Sequence, residues 1–83
     1  MKTITIFGRE GCGYCRRAIE LCEIKHLQYR YIDIHKEGIS KADLEKTIGK
    51  PVLTVPQVFH GQDHIGGYTE LSGFLSQSQQ NQA

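Results

Sequence analysis

Two of the chain's three cysteines stand three positions apart in GREGCGYCRRA, Gly8 to Ala18, where Cys12 and Cys15 share their surroundings with Arg9, Arg16 and Arg17. The thiolate is the form of cysteine that attacks disulfides and binds metals. Helix N-termini, basic neighbours and CxxC spacing are the settings that pull a cysteine pKa from about 8.5 to roughly 3.5–7.5. The stretch therefore points to thiol–disulfide exchange or to metal binding. If a helix opens at this turn, Cys15 follows Cys12 by one turn, at a separation a disulfide can span. Cys12, in the turn, reads as the exposed nucleophile. Cys15, sharing an apolar face with Ala18 and Ile19, reads as the sheltered resolving thiol.

The metal reading has its own pattern, because Cys12, Cys15, Cys22 and His26 spell C-x2-C followed by C-x3-H. On a continuous helix, however, Cys22 lies about 10 Å along the axis from Cys15, while zinc holds its ligands at about 2 Å. One ion does not reach both pairs, and His35, His60 and His64 would supply a second half-site only by coincidence. No metal is expected, and Cys22 reads as a small, inert core residue. Arg16 and Arg17 keep a second reading as a solvated helix face. Of the four tyrosines, only Tyr14, inside the CxxC, is expected to line the site.

The elements that must position these thiols follow from periodicity. Thr3 to Phe7 alternates as a strand rich in β-branched residues, and Gly8 to Gly13 is a glycine-rich turn. From Tyr14 the pattern becomes helical, with Cys15, Ala18, Ile19 and Cys22 on one face, widened by Leu21 and Ile24. A second strand runs from Tyr29 to Ile34, completing a right-handed βαβ unit with parallel strands. The first strand then ends just before Cys12, at the carboxyl edge of the sheet where sites of open α/β folds usually lie. Ser40 with Asp43 resembles a capping box opening a short helix that carries Ala42, Leu44 and Ile48 and stops at Gly49, ahead of Pro51. Strands at Gln57–His60 and Asp63–Gly66 make a hairpin over Gly61-Gln62. Thr69 is expected to cap a last helix carrying Leu71, Phe74 and Leu75.

At 83 residues the chain reads as one domain, 1–76, with a polar tail, 77–83, too hydrophilic to pack and expected to be disordered. A net charge of +1 gives no field that would recruit nucleic acid or an acidic membrane. The opening MKTITIF fits neither a signal peptide nor a membrane span. Three cysteines are too few for a secreted disulfide framework, so a cytoplasmic location is expected. A monomer is expected as well.

Three pieces in order, GCGYC at the first strand-to-helix turn, GKPVLTVPQVF before the hairpin and HIGGYTEL into the last helix, resemble the glutaredoxins of the thioredoxin-like superfamily. The likeness covers nearly the whole chain and is nearest to the small bacterial dithiol type. It implies an α/β fold, a four-stranded mixed sheet flanked by three helices in the order β-α-β-α-β-β-α. It implies reduction of protein disulfides and glutathione mixed disulfides, with glutathione as co-substrate. Pro56 would form a cis peptide beside the CxxC, leaving the Val55 backbone to pair with the cysteinyl backbone of glutathione. Thr54 belongs to the same patch. The Gly66-Gly67 turn and the helix start at Tyr68 would anchor the γ-glutamyl end, with amides of Thr69 and Glu70 offered to its carboxylate. Glu70 would also accept from the ligand's amino group, Arg9 would meet the glycyl carboxylate, and Tyr14 would flank the cleft.

Each of these residues also has a structural reading: Pro56 as a strand end, Thr69 as a cap, Gly66-Gly67 as a turn. The family's usual CPYC carries Gly13 here in place of proline, which loosens the turn. Members lacking that proline include some that hold an iron–sulfur cluster between two protomers, so a cluster carrier is one alternative. A reductase fed by a flavoenzyme and a zinc-stabilised interaction module are the others. Glu70 replaces a more usual aspartate, lengthening the arm toward the ligand. Disulfide-containing or glutathionylated proteins are the implied partners, with ribonucleotide reductase one such target.

Overall fold

The computed structural model describes residues 2–52 and 54–81. Its elements are β1 (Ile4–Gly8), α1 (Gly13–Ile24), β2 (Tyr29–Asp33), α2 (Lys41–Ile48), β3 (Gln57–His60), β4 (Asp63–Gly66) and α3 (Tyr68–Asn81). The strands form one sheet in the order β2-β1-β3-β4, with β1 and β2 parallel and the β1/β3 and β3/β4 pairs antiparallel. The mixed four-stranded sheet with three helices is the architecture the resemblance implies. None of the described helices is long and apolar enough to cross a membrane.

Strand periodicity divides the core. Ile4, Ile6 and Val58 point to one face, where they meet Ala18 and Cys22 of α1 and Leu71 and Leu75 of α3. Phe7 packs on the other face, in a smaller cluster of Ile34, Leu44 and Val52 that takes in Ile48 of α2 and Val55. Each large aliphatic side chain buried this way contributes about 1.5–3 kcal/mol. The larger cluster thus fixes the helix carrying the cysteines directly to the central strand. The smaller one ties the segment before β3 to the end of β1.

Local signals set the helix ends. Ser40 Oγ accepts from Asp43 N–H at 3.0 Å while Asp43 Oδ2 accepts from Ser40 N–H at 2.9 Å, a complete capping box. Gly49 closes α2 at φ 86°, the left-handed conformation glycine adopts without penalty.

Five boundaries or faces differ from the sequence pattern. α1 begins one residue earlier, at Gly13, because Cys12 itself is the cap. β2 ends at Asp33, although Ile34 N–H still donates to Gly8 O at 2.9 Å. Ile24 does not join the apolar face: it is 71% exposed, because it stands about 120° around the helix from Ala18. Thr69 does not cap α3, which starts at Tyr68 with the Glu70 carboxylate accepting from Gly67 N–H at 2.7 Å. The helix also continues to Asn81, so residues 77–81 of the expected disordered tail are helical. Glutamine is a fair helix former, and extending existing turns needs no new nucleus.

Candidate active site

The turn between β1 and α1 brings Cys12 to the sheet's carboxyl edge. Gly11, at φ 79°, reverses the chain, and Cys12 follows in an extended conformation as the N-cap of α1. Its Sγ accepts from Cys15 N–H at 3.2 Å, one of the unpaired amides every helix N-terminus presents. The Cys12 thiol in turn donates to Val55 O at 3.5 Å. All three cysteines are free, with Cys12 partly exposed and Cys15 and Cys22 buried. A sulfur that receives a helix amide from one side and touches a loop carbonyl on the other is held in place and open to a reactant.

Behind it, Cys15 is sheltered by a space that only glycine leaves. A methyl at Gly8 would stand 2.8 Å from Cys15 Sγ, 3.0 Å from Cys15 Cβ and 2.8 Å from Tyr31 Cε2. Burial chiefly, then the hydrogen bond and negative charge of Cys12, push the Cys15 thiol up to about 12, while Arg9 works against them. Burial and then Glu23 push the Cys22 thiol up to about 11. Cys22 packs in the larger core cluster, as a small apolar residue would.

Tyr31 corrects the expectation that Tyr14 alone of the tyrosines lines the site. Its ring is 37% exposed, and with Cys12, Cys15, Arg9, Glu10 and Arg16 it lines a groove of about 560 Å³. Burial, and after it the negative charges of Cys15 and Asp33, raise its phenol above the usual tyrosine value. On the opposite flank a second cavity of about 290 Å³ is lined by Arg9, Lys41, Thr54 and Val55. Arg9 edges both. The other two arginines are placed differently: Arg17 lies over the Tyr14 ring at 5.2 Å, and Arg16 approaches Glu20 at 3.7 Å on the solvated face.

The remaining candidate residues lie in the segment before β3, in the first turn of α1 and at the start of α3. The Val55–Pro56 peptide is cis. Tyr14, 56% exposed, stands 6.0 Å from the Tyr68 ring, centroid to centroid. Gly67 lies close to Pro56, whose carbonyl a β-carbon on Gly67 would approach to 3.6 Å. Thr69 and Glu70 are exposed in the first turn of α3. The Glu70 carboxylate is committed to the Gly67 amide in this state. Among the described residues, no three His, Cys, Asp or Glu side chains group to hold a metal.

Gly8, Tyr31, Gln57 and His64 are neighbours of the site that the sequence pattern did not single out. The Gln57 side-chain amide donates to Thr54 O at 2.7 Å, and its carbonyl lies 2.7 Å from His64 Nε2.

Known proteins share the chain's sequence and fold. The Glutaredoxin family model matches residues 4–65. Glutaredoxin 1 of Salmonella typhimurium is 58% identical, across 88% of this chain and 90% of its own. The structure of reduced Escherichia coli glutaredoxin superposes with a TM-score of 0.81 at 49% identity, covering 90% of this chain and 94% of that one. A buckwheat glutaredoxin–glutathione complex superposes with a TM-score of 0.75 at 29% identity, covering 90% of this chain and 69% of that one. With its thiol pair at the sheet edge, its fold and its relatives in agreement, the chain belongs to the glutaredoxin family of thiol–disulfide oxidoreductases.

Proposed function

We propose that the protein reduces disulfides at the expense of glutathione, with Cys12 as nucleophile and Cys15 as resolving thiol. The observation that carries this reading is Cys12 Sγ, held between the Cys15 amide and the Val55 carbonyl, with a buried thiol one helical turn behind it. On a glutathionylated protein, Cys12 thiolate attacks the glutathionyl sulfur, a new S–S bond forms, and the target leaves as thiolate. A second glutathione thiolate attacks that mixed disulfide, releasing oxidised glutathione and restoring Cys12.

On a protein disulfide, Cys12 is first joined to the target. Cys15 then attacks Cys12 Sγ, expels the target thiolate and leaves a Cys12–Cys15 bridge, which two glutathiones reopen. Cys15 has a disulfide to attack only after Cys12 has formed one; burial is the chief cause of its raised thiol, and Cys12 adds to it. While Cys12 is charged, its charge and hydrogen bond help hold the proton on Cys15. Once Cys12 is bonded to a target, both influences vanish and Cys15 loses its proton more readily.

Glutathione lies across Thr54, Val55 and Pro56, its cysteinyl backbone pairing with Val55 as an added strand. Its γ-glutamyl carboxylate meets the amides of Thr69 and Glu70 beside Gly67 and Tyr68, where the positive end of α3 favours an anion. Glu70 also accepts from the ligand's amino group, which requires its carboxylate to leave the Gly67 amide. Arg9 pairs with the glycyl carboxylate, and Tyr14 flanks the cleft. The buckwheat complex supports glutathione as the ligand class. The reading extends to a cytoplasmic monomer working as a single domain on disulfide-containing or glutathionylated proteins, ribonucleotide reductase among them.

A glutathione-coupled assay on a small mixed disulfide and on a protein disulfide tests the assignment. Cys15→Ser keeps deglutathionylation and loses protein-disulfide reduction, whereas Cys12→Ser loses both. Turnover surviving in Cys12→Ser would overturn the roles.

A further inference from the structure

We infer that His64 and Gln57 are positioning residues for the glutathione-binding edge: a hydrogen-bonded chain from β4 through β3 fixes the Thr54 carbonyl, and with it the Val55 backbone. The inference rests on the proposed docking of glutathione at Val55.

Three residues from separate parts of the hairpin and its approach form the chain. Gln57 Nε2 donates to Thr54 O at 2.7 Å, and Gln57 Oε1 lies 2.7 Å from His64 Nε2. An amide has one donor end and one acceptor end. Since its nitrogen faces a carbonyl, its oxygen must face the imidazole, and His64 must carry a proton on Nε2. The two bonds thus assign each other's polarity, including the ring tautomer. Both are at the short end of the usual range.

The anchored end of the chain is packed against the sheet. The His64 ring packs on Phe59 with centroids 5.2 Å apart, and Phe59 packs edge-on against Phe7 of the central strand at 5.7 Å. Burial, then Lys50, hold His64 below the usual histidine value against the pull of Glu70, so the ring is neutral at neutral pH. The far end is exposed: Thr54 lies in the irregular segment before β3 and is solvent-facing. One peptide further on, Val55 O receives the Cys12 thiol. Without the chain, Thr54 O would bond only to water, and the Thr54–Val55 peptide plane would be free to rotate about a segment lacking strand partners on the ligand side. Pairing with glutathione would then have to order that segment, a cost that falls on affinity rather than on sulfur chemistry.

Three variants separate this role from a general loss of fold. His64→Ala removes the first donor. Gln57→Glu keeps an acceptor for His64 but turns an oxygen toward Thr54 O, breaking only the second bond. His64→Gln places an amide donor at similar reach and serves as the rescue. In the glutathione-coupled assay, His64→Ala and Gln57→Glu are expected to raise the KM for glutathione by about fivefold, the weight of one net hydrogen bond, with kcat unchanged and His64→Gln close to wild type. In the ligand-free protein, the Val55 amide resonance shifts in the first two variants and returns in the third.

Wild-type KM and an unmoved Val55 amide in His64→Ala would overturn the inference, as would equal losses in His64→Ala and His64→Gln. If the wild-type protein itself showed no glutathione dependence, the docking reading would fail, while the Val55 resonance would still report whether the chain holds the segment.

Discussion

Replacing Gly8 by alanine tests whether the end of β1 is shaped around the resolving thiol. The new methyl would lie 2.8 Å from Cys15 Sγ, 3.0 Å from Cys15 Cβ and 2.8 Å from Tyr31 Cε2. Carbon contacts are at their best near 3.5–4.0 Å, so these neighbours must retreat by roughly 0.5–1 Å. Tyr31 can swing outward, being 37% exposed; Cys15, at 2%, is hemmed in by the core. Overpacking of this kind costs about 1–3 kcal/mol. For a domain of this size each kcal/mol shifts Tm by roughly 4–8 °C, so Tm should fall by about 4–24 °C.

Under the proposed roles function should fail selectively, since the displaced atom is the sulfur proposed to resolve the mixed disulfide. Protein-disulfide reduction is expected to drop more than deglutathionylation, for which the proposed mechanism uses Cys12 alone. Tyr31→Ala removes one of the clashing groups, so thermal unfolding of the two single variants and the double variant should show coupling, with Gly8→Ala costing less when Tyr31 is absent. A Gly8→Ala protein with wild-type Tm and an unchanged ratio of the two activities would refute the argument.

The buried thiols predict an alkaline limit to stability. In the fold Cys15 and Cys22 ionise near 12 and 11 against 9.0 for a free thiol, so the unfolded chain releases these protons first. Their contribution is complete below pH 9.0 and is lost as pH rises through the folded values. Denaturant midpoints should therefore decline above pH 9.0, less steeply in Cys22→Ala than in wild type. For α2, Ser40→Ala deletes half of the capping box and should lower unfolding free energy by about 1 kcal/mol in a urea titration, with glutathione turnover retained.

What the residue pattern made legible was local. The Cys12 turn, the α2 capping box and the β3–β4 hairpin each rest on glycine, cap or alternation signals confined to a few neighbouring residues. What it left hidden depends on side chains meeting across space. Thr69 looked like a cap because threonine commonly is one; the Glu70 carboxylate folding back onto Gly67 decided otherwise. Tyr31 looked like an ordinary strand tyrosine until the parallel register set it level with Ile6, two residues from the Gly8 gap. The His64–Gln57 bond needed the hairpin register, which is irregular at Val58/Phe59, and no counting along the sequence yields that offset.

The strand order places β2 and β4 on the outside of the sheet, with five and four residues. Such short rims offer a passing polypeptide few free amides and carbonyls to zip onto. Arg30 and Asp33 on one rim and Asp63 on the other put charged side chains on the strand edges, which an added strand would have to accommodate. The sheet thus offers little backbone template to a second chain, and concentrated samples should stay dispersed.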